Sequence, residues 1–280
     1  MIPVVELGGS HVSATRADPA TATTRDQHPP ARPVDPHAGA AEIVAAVAAA
    51  ARSAGPLSGT PLSLAVPGPF DYAAGVGRYA GVGKFAALNG VDVRAALYAA
   101  LDERPSRITF VNDAEAFAVG EWLAGAGPGL TRLVGITLGT GIGSAFLDHG
   151  RVVRDGPSVP PQGRADLLEI DGRPLEETVS ARAVIRAHGR PATGVLDVIR
   201  AGDTAALSAY RRLGVALAPW IRRFEAQAVV VGGAVAGSWD VIGPLFVTGL
   251  GLPADVRPAA LPHTAAHLGA AWLTWHDAPG

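Results

Sequence analysis

The sequence contains no cysteine, which excludes disulfides, thiolate zinc sites, iron–sulfur clusters and cysteine nucleophiles. It contains one lysine, Lys84, among 23 basic residues. With the abundant Ala, Gly and Pro, this arginine preference is the pattern of a GC-rich genome. Lys84 is then either a chance survivor on a solvated surface or a residue kept for its ammonium group. The formal net charge is −2, so there is no electrostatic reason to expect nucleic acid or an anionic membrane as partner. No stretch of about 18 residues is apolar without interruption, and no membrane span is expected. The opening residues MIPVVELGGSH show no basic stretch followed by an apolar run, which makes the cytoplasm the expected compartment. Neither G-x-x-x-x-G-K-[ST] nor G-x-G-x-x-G occurs, which sets aside P-loop and dinucleotide-binding motifs. No period of 20 to 50 residues recurs, so a solenoid is not expected.

What is present is a 280-residue chain, 48% hydrophobic, long enough for one large or two ordinary domains with a sizeable core. Residues 2 to 7 read as a strand ending in Gly8-Gly9. Residues 17 to 37, rich in Pro, Thr, Asp and Arg, read as loop or irregular edge structure. Residues 38 to 54 place Ile43, Val44 and Val47 on one helix face. Strands are predicted at 62 to 66, 108 to 112, 132 to 138 with a return at 144 to 147, and 228 to 232. Helices are predicted at 91 to 102, 114 to 125, 174 to 188, 203 to 224 and 263 to 276. The alternation of strands and helices is an α/β pattern, with sites expected at the C-terminal ends of strands.

Three strand ends share one chemistry. They are Gly8-Gly9-Ser10 after the first strand, Thr137-Leu138-Gly139-Thr140-Gly141-Ile142-Gly143 after a middle one, and Gly232-Gly233 after a late one. Glycine permits positive φ and close backbone approach. Successive amides beside the Ser10 and Thr140 hydroxyls suit phosphate oxygens. A phosphoryl acceptor also needs a carboxylate to take its proton. Asp113, at the junction of the 108 to 112 strand and a helix, fits that role and equally fits a helix N-cap. Asn112 beside it argues for a polar pocket.

In this order the motifs resemble the ROK family of sugar kinases and repressors, within the actin-like ATPase superfamily. The resemblance rests on the first glycine turn, Val66-Pro67-Gly68-Pro69, Val111-Asn112-Asp113-Ala114, Thr137–Gly143, Leu175-Glu176 with Ser180, and Gly232-Gly233. It implies an α/β chain of two actin-like (ribonuclease H-like) domains around a central cleft. These would be residues 1–112, completed by the C-terminal helix at 263–280, and residues 113–262. It also implies ATP with Mg²⁺, a homodimer, Asp113 as general base, and Asn112 and Glu176 as sugar ligands. Gly68 and Lys84 fall in stretches that resemble the family's sugar-contacting loops. The phosphates are assigned to Gly8, Gly9, Ser10, Thr137, Gly139, Thr140, Gly141, Gly232 and Gly233.

The chain departs from the family pattern in four places. Glu6 stands where the first motif has Asp, as the expected Mg²⁺ residue acting through water, and Ser10 replaces Thr. The cysteine zinc loop is absent, so no zinc is expected. The Glu-x-Gly-His motif is also absent, and Gly163-Arg164-Ala165-Asp166 is placed there. No helix-turn-helix precedes Ile2, which sets aside the repressor branch. The expected reaction is phosphorylation of the exocyclic primary hydroxyl of a hexose-like acceptor. With Arg164 and Asp166 as pocket residues, the expected acceptor is an aminosugar such as kanosamine or a C7 cyclitol. An ordinary glucokinase and a sugar-sensing regulator without catalysis are the alternatives.

Overall fold

The computed structural model describes residues 1–189 and 194–276. Its first part runs β1 (Ile2–Leu7), β2 (His11–Asp18), β3 (Thr23–Thr24), β4 (Ala31–Pro33), α1 (Ala40–Ser53), β5 (Pro61–Val66), β6 (Phe70–Asp71), β7 (Val76–Gly77), α2 (Val93–Ala100), β8 (Arg107–Asn112) and α3 (Asp113–Ala124). Its second part runs β9 (Arg132–Leu138), β10 (Ile142–Asp148), β11 (Arg151–Val153), β12 (Glu169–Ile170), β13 (Arg173–Pro174), α4 (Leu175–Val179), α5 (Ala181–His188), α6 (Val195–Arg200), α7 (Thr204–Phe224), β14 (Ala228–Gly232), α8 (Trp239–Leu250) and β15 (Asp255–Pro258). Helix α9 (Ala265–His276) follows. The chain divides into two compact units: Met1–Ala124 with the C-terminal segment from His263, and Gly125–Pro262. Among the described residues no helix is long and apolar enough to cross a membrane.

In the first unit the sheet order is β3-β2-β1-β5-β8, with β4 on β2. Strands β1, β5 and β8 are parallel, with Glu6 opposite Ala65 and Val66 opposite Asn112. Their C-terminal ends therefore lie side by side, where a parallel sheet gathers its functional groups. One sheet face presents Val5, Leu7, Leu64 and Phe110 to a core shared with Ile43 and Val47 of α1 and Leu97 of α2. Burial of such side chains contributes about 1.5–3 kcal/mol each.

The other face mixes buried polar residues such as Ser13, Thr15 and Ser63 with Val4, Ala65 and Val111, and lies under α9. Ser63 Oγ donates to the Ala270 carbonyl at 3.0 Å, and Thr274 Oγ1 donates to Ser63 Oγ at 2.8 Å. Helix α3 crosses α9 backbone to backbone: a Cβ on Gly120 would overlap the Ala265 carbonyl, and one on Gly269 would overlap that of Ala116. That crossing ties α3 to the first unit, so the unit continues past residue 112 to Ala124.

Three sequence expectations change. Residues 17 to 37 contain the end of β2 with the short strands β3 and β4 and are not irregular throughout. Strand β2 itself was not predicted, because Ser13 and Thr15, polar but buried, mask its alternation. The single helix expected at 174 to 188 is two, α4 and α5. They part at Ser180, whose hydroxyl accepts from the Ala183 amide and caps α5. Helices α6 and α8 and strand β15 were not expected at all.

In the second unit the sheet order is β11-β10-β9-β14-β15. Strand β14, AVVVG, is buried throughout. Helix α7 is capped by Asp203, which accepts from the Ala205 and Ala206 amides. It packs on α8 where Gly214 and Gly249 leave room for the facing backbones.

Candidate active site

The first unit sets a carboxylate at the β8–α3 junction. No loop separates strand from helix, so the first helical amides need an acceptor. Asn112 provides it: Oδ1 accepts from the Ala114 amide at 3.0 Å and the Glu115 amide at 3.1 Å. Asp113 takes only a share of this, accepting from the Ala114 amide at 2.9 Å. The capping that the sequence offered to Asp113 falls mainly to Asn112.

Asn112 is itself fixed, because its Nδ2 donates to Tyr72 Oη at 2.8 Å. One of its two amide hydrogens is left over. Gly68 lies against the same pair: a Cβ there would sit 3.4 Å from Tyr72 Oη and 3.8 Å from Asn112 Nδ2. Tyr72 carries no motif in the sequence; the signal was only that an aromatic follows Pro-Gly-Pro by a few residues.

Asp113 is only partly accessible. Burial pushes its carboxyl up to about 6, the nearby Lys84 ammonium draws it back, and the Glu6 carboxylate pushes it further up. Lys84 and Glu6 are therefore both within electrostatic reach of Asp113. Lys84 is half-buried beside Phe85, which is fully buried and anchored by donating its amide to the Pro36 carbonyl at 2.7 Å.

At the end of β1, the turn Gly8-Gly9-Ser10 is closed by the Gly8 amide donating to the His11 carbonyl at 2.8 Å. Gly8 does not adopt positive φ; its hydrogen leaves room for the His11 ring. Glu6 points to the other side of β1, with its side chain 24% exposed. Among the described residues no group of three or more His, Cys, Asp or Glu converges to hold an ion. The Glu6 carboxylate nevertheless fits a hydrated Mg²⁺, which takes oxygen donors and keeps several waters. Its charge raises Asp113, and a cation there would relieve that repulsion.

The second unit joins two of the glycine motifs. Strand β14 runs parallel to β9 with Gly232 opposite Thr137. Gly233, at φ +86, presses on the Leu138 backbone, where a Cβ would overlap. The β9–β10 turn is closed by the Gly139 amide donating to the Gly141 carbonyl at 3.0 Å, and the first amide of α5, Ala181, donates to the Gly139 carbonyl at 3.3 Å. Gly139 faces open space and Thr140 is exposed. Neither Gly139 nor Gly141 has positive φ, so these glycines serve close approach and not turn geometry. Gly141 shows what approaches: a Cβ there would overlap Glu176 Oε1. Glu176, expected as a sugar ligand, lies on the phosphate-type turn.

The loop at 163 to 166 differs from the expectation in charge. Arg164 Nη2 donates to Asp166 Oδ2 at 2.5 Å and Nε donates to Oδ1 at 3.2 Å. Asp166 is thus neutralised by a two-point contact and is not a free anion. Ser144 Oγ holds this loop by donating to the Gly163 carbonyl and accepting from the Ala165 amide, both at 2.8 Å. A hollow of about 250 Å³ beside it, lined by Arg154, Asp155, Gln162 and Trp220 among others, contains none of the expected site residues.

The first unit thus carries a partly accessible carboxylate at parallel strand ends, and the second carries paired glycine turns. Comparison with known proteins gives the family. Residues 3–158 match the ROK family, and the chain belongs to it. Over 181 residues it is 31% identical to a glucokinase of Thermotoga maritima, covering 52% of this chain and 56% of that protein. The matched stretch spans 51% to 62% of the length of its curated relatives. Among solved structures, the ROK hexokinase from Thermus thermophilus superposes with a TM-score of 0.73 at 27% identity, covering 99% of both chains. The inorganic polyphosphate/ATP-glucomannokinase from Arthrobacter superposes with a TM-score of 0.73 at 25% identity, covering 99% of this chain and 100% of that one. The fold is that of the actin-like ROK kinases.

Proposed function

We propose that the chain is an ATP-dependent kinase that phosphorylates the exocyclic primary hydroxyl of a hexose-like acceptor. The observation that carries this reading is Asp113. Its carboxyl is held at about 6 at a parallel strand end, while Asn112 does the helix capping. A group with that pKa is ionised near neutral pH yet able to take a proton, as a general base requires.

In this reading the Asp113 carboxylate accepts the hydroxyl proton as the acceptor oxygen bonds to the γ-phosphorus. The bond from that phosphorus to the β–γ bridging oxygen breaks, and ADP leaves. Asn112, through its remaining amide hydrogen, and Lys84 orient the acceptor, and Gly68 leaves room for it. The amides and hydroxyls of Thr137, Gly139, Thr140, Gly141, Gly232 and Gly233 in the second unit, and those of Gly8, Gly9 and Ser10 in the first, suit phosphate oxygens. Glu176 orders the Gly141 turn. Glu6 would hold Mg²⁺ through water, and the bound ion would neutralise phosphate charge. We expect a homodimer; light scattering should give twice the 28.4 kDa of the chain.

Relatives named for glucose, hexose and mannose phosphorylation support a neutral hexose as acceptor. The missing Glu-x-Gly-His motif favours a second reading, a C7 cyclitol. Asp166, paired with Arg164, is not free to meet the ammonium group of kanosamine. ADP release measured across glucose, mannose, kanosamine and C7 cyclitols, with pairwise competition at equal concentration, tests both readings. A neutral acceptor should show the highest kcat/KM. Preference for kanosamine would reverse the acceptor choice, and no ADP release with any of them would defeat the kinase reading.

A further inference from the structure

His267 lies on α9 with 0% exposure, within the small-residue crossing with α3. Its chain neighbours Ala265, Ala266, Leu268 and Gly269 are buried, and an apolar residue would serve that packing. A buried imidazole is costly unless its nitrogens have partners. Nε2 lies 3.1 Å from Ser13 Oγ. Nδ1 has no hydrogen-bond partner and lies 3.7 Å from Glu6 Oε2. Ser13 Oγ is 3.5 Å from that same carboxylate oxygen.

Ser13 has one hydroxyl hydrogen. Directed to Glu6 Oε2, it leaves Ser13 Oγ to accept from Nε2–H; directed to Nε2, it puts the ring proton on Nδ1, the nitrogen 3.7 Å from Glu6 Oε2. In either arrangement the His267–Ser13 pair turns a hydrogen toward the Glu6 carboxylate.

We propose that His267 is a positioning residue for Glu6: with Ser13, which its Nε2 contacts, it keeps a hydrogen turned to the carboxylate, so that Glu6 presents a fixed face to the divalent cation carried with the nucleotide. The proposal rests on the kinase reading and on Glu6 as the Mg²⁺ residue. Partners of this kind, which orient a metal-binding group without touching the metal, typically matter by 10–100-fold in affinity or activity. Glu6 is one methylene longer than an aspartate at the same place, and His267 removes the freedom that this length adds.

Calorimetric binding of AMPPNP with and without Mg²⁺ tests it independently of turnover. In the wild type, Mg²⁺ should tighten AMPPNP binding. His267→Leu should lose roughly 10-fold or more of that tightening while metal-free binding is unchanged, and His267→Gln, which keeps a donor, should recover part of it. In a Glu6→Asp background, His267→Leu should add little, because the shorter carboxylate is out of reach; contacting residues are non-additive in this way. Full Mg²⁺ tightening in His267→Leu overturns the proposal. If that variant does not fold, Ser13→Ala leaves the α3–α9 crossing intact and must weaken the tightening; no change there overturns it equally. A wild type that binds no AMPPNP overturns the kinase reading itself, a result distinct from either.

Discussion

Asp113→Asn separates a catalytic carboxylate from a structural one, because the two roles predict different changes in stability and in rate. Burial raises the Asp113 carboxyl from its ordinary 3.8 to about 6 in the folded chain. A folded pKa above the unfolded one means that the folded state prefers the proton. Its stabilising contribution is therefore complete below about 3.8 and lost as pH rises through about 6. Above that, the ionised group costs the fold up to about 3 kcal/mol, from about 1.36 kcal/mol per pK. Partial accessibility reduces this to about 1–3 kcal/mol.

Asparagine is close to isosteric and carries no charge. At pH 8 the variant should be the more stable by about 1–3 kcal/mol, a melting rise of about 2–4 °C per kcal/mol. At pH 3 to 4 the advantage should vanish. A residue that only capped the helix would show little change at any pH, because asparagine caps as well as aspartate. Turnover should fall by about 10²–10⁴-fold. In the wild type the rate should drop below pH 6, to about a tenth at pH 5. Thermal melts at pH 4 and 8 and a steady-state pH profile measure all of this. Near-full turnover in the variant, or a variant less stable at pH 8, refutes the reasoning.

Lys84→Ala should raise the acceptor KM more than the ATP KM. It should also move the acid limb of the rate to higher pH, since the Lys84 ammonium lowers the Asp113 carboxyl; unchanged kinetics and an unmoved limb would return Lys84 to the ordinary surface. Gly141→Ala should drive Glu176 from its place over the turn and raise the ATP KM by about 10-fold. Glu176→Ala in the same chain should restore part of the loss, and additive losses would show that the two do not share a site. Protein purified without added metal should contain no stoichiometric zinc, and elemental analysis at one zinc per chain would contradict the assignment of Mg²⁺ as the metal required.

The sequence revealed the fold where local pattern and burial agree. Strands such as AVVVG at 228 to 232 are apolar throughout and end in glycine, and they are found where expected. Strand β2 was not legible because its inward face carries Ser13 and Thr15, satisfied by His267 and Asp26; those partners are remote in sequence or polar themselves. The break between α4 and α5 was written only in Ser180, a cap that looks like any mid-helix serine until the Ala183 amide is seen to reach it.

At the site, the β8–α3 junction and the glycine turns were readable as motifs. What was not readable was which partner each side chain takes. Nothing local says that Asn112 caps the helix in preference to Asp113, that Asp166 is matched by Arg164, or that Glu176 rests on Gly141. A histidine amid AAHLGAA was the one visible trace of His267, and its meaning depends on Glu6, brought near only by the packing of α9 on the sheet.

The central claim is chemical, and the most direct measurement is ³¹P NMR of ATP, Mg²⁺ and a saturating hexose-like acceptor with the purified chain. The account predicts a phosphomonoester on the exocyclic carbon appearing in step with ADP, and its near absence with Asp113→Asn. A chain that binds the sugar by calorimetry yet leaves ATP intact with every acceptor would contradict it and point to a sensor that keeps the fold without the reaction.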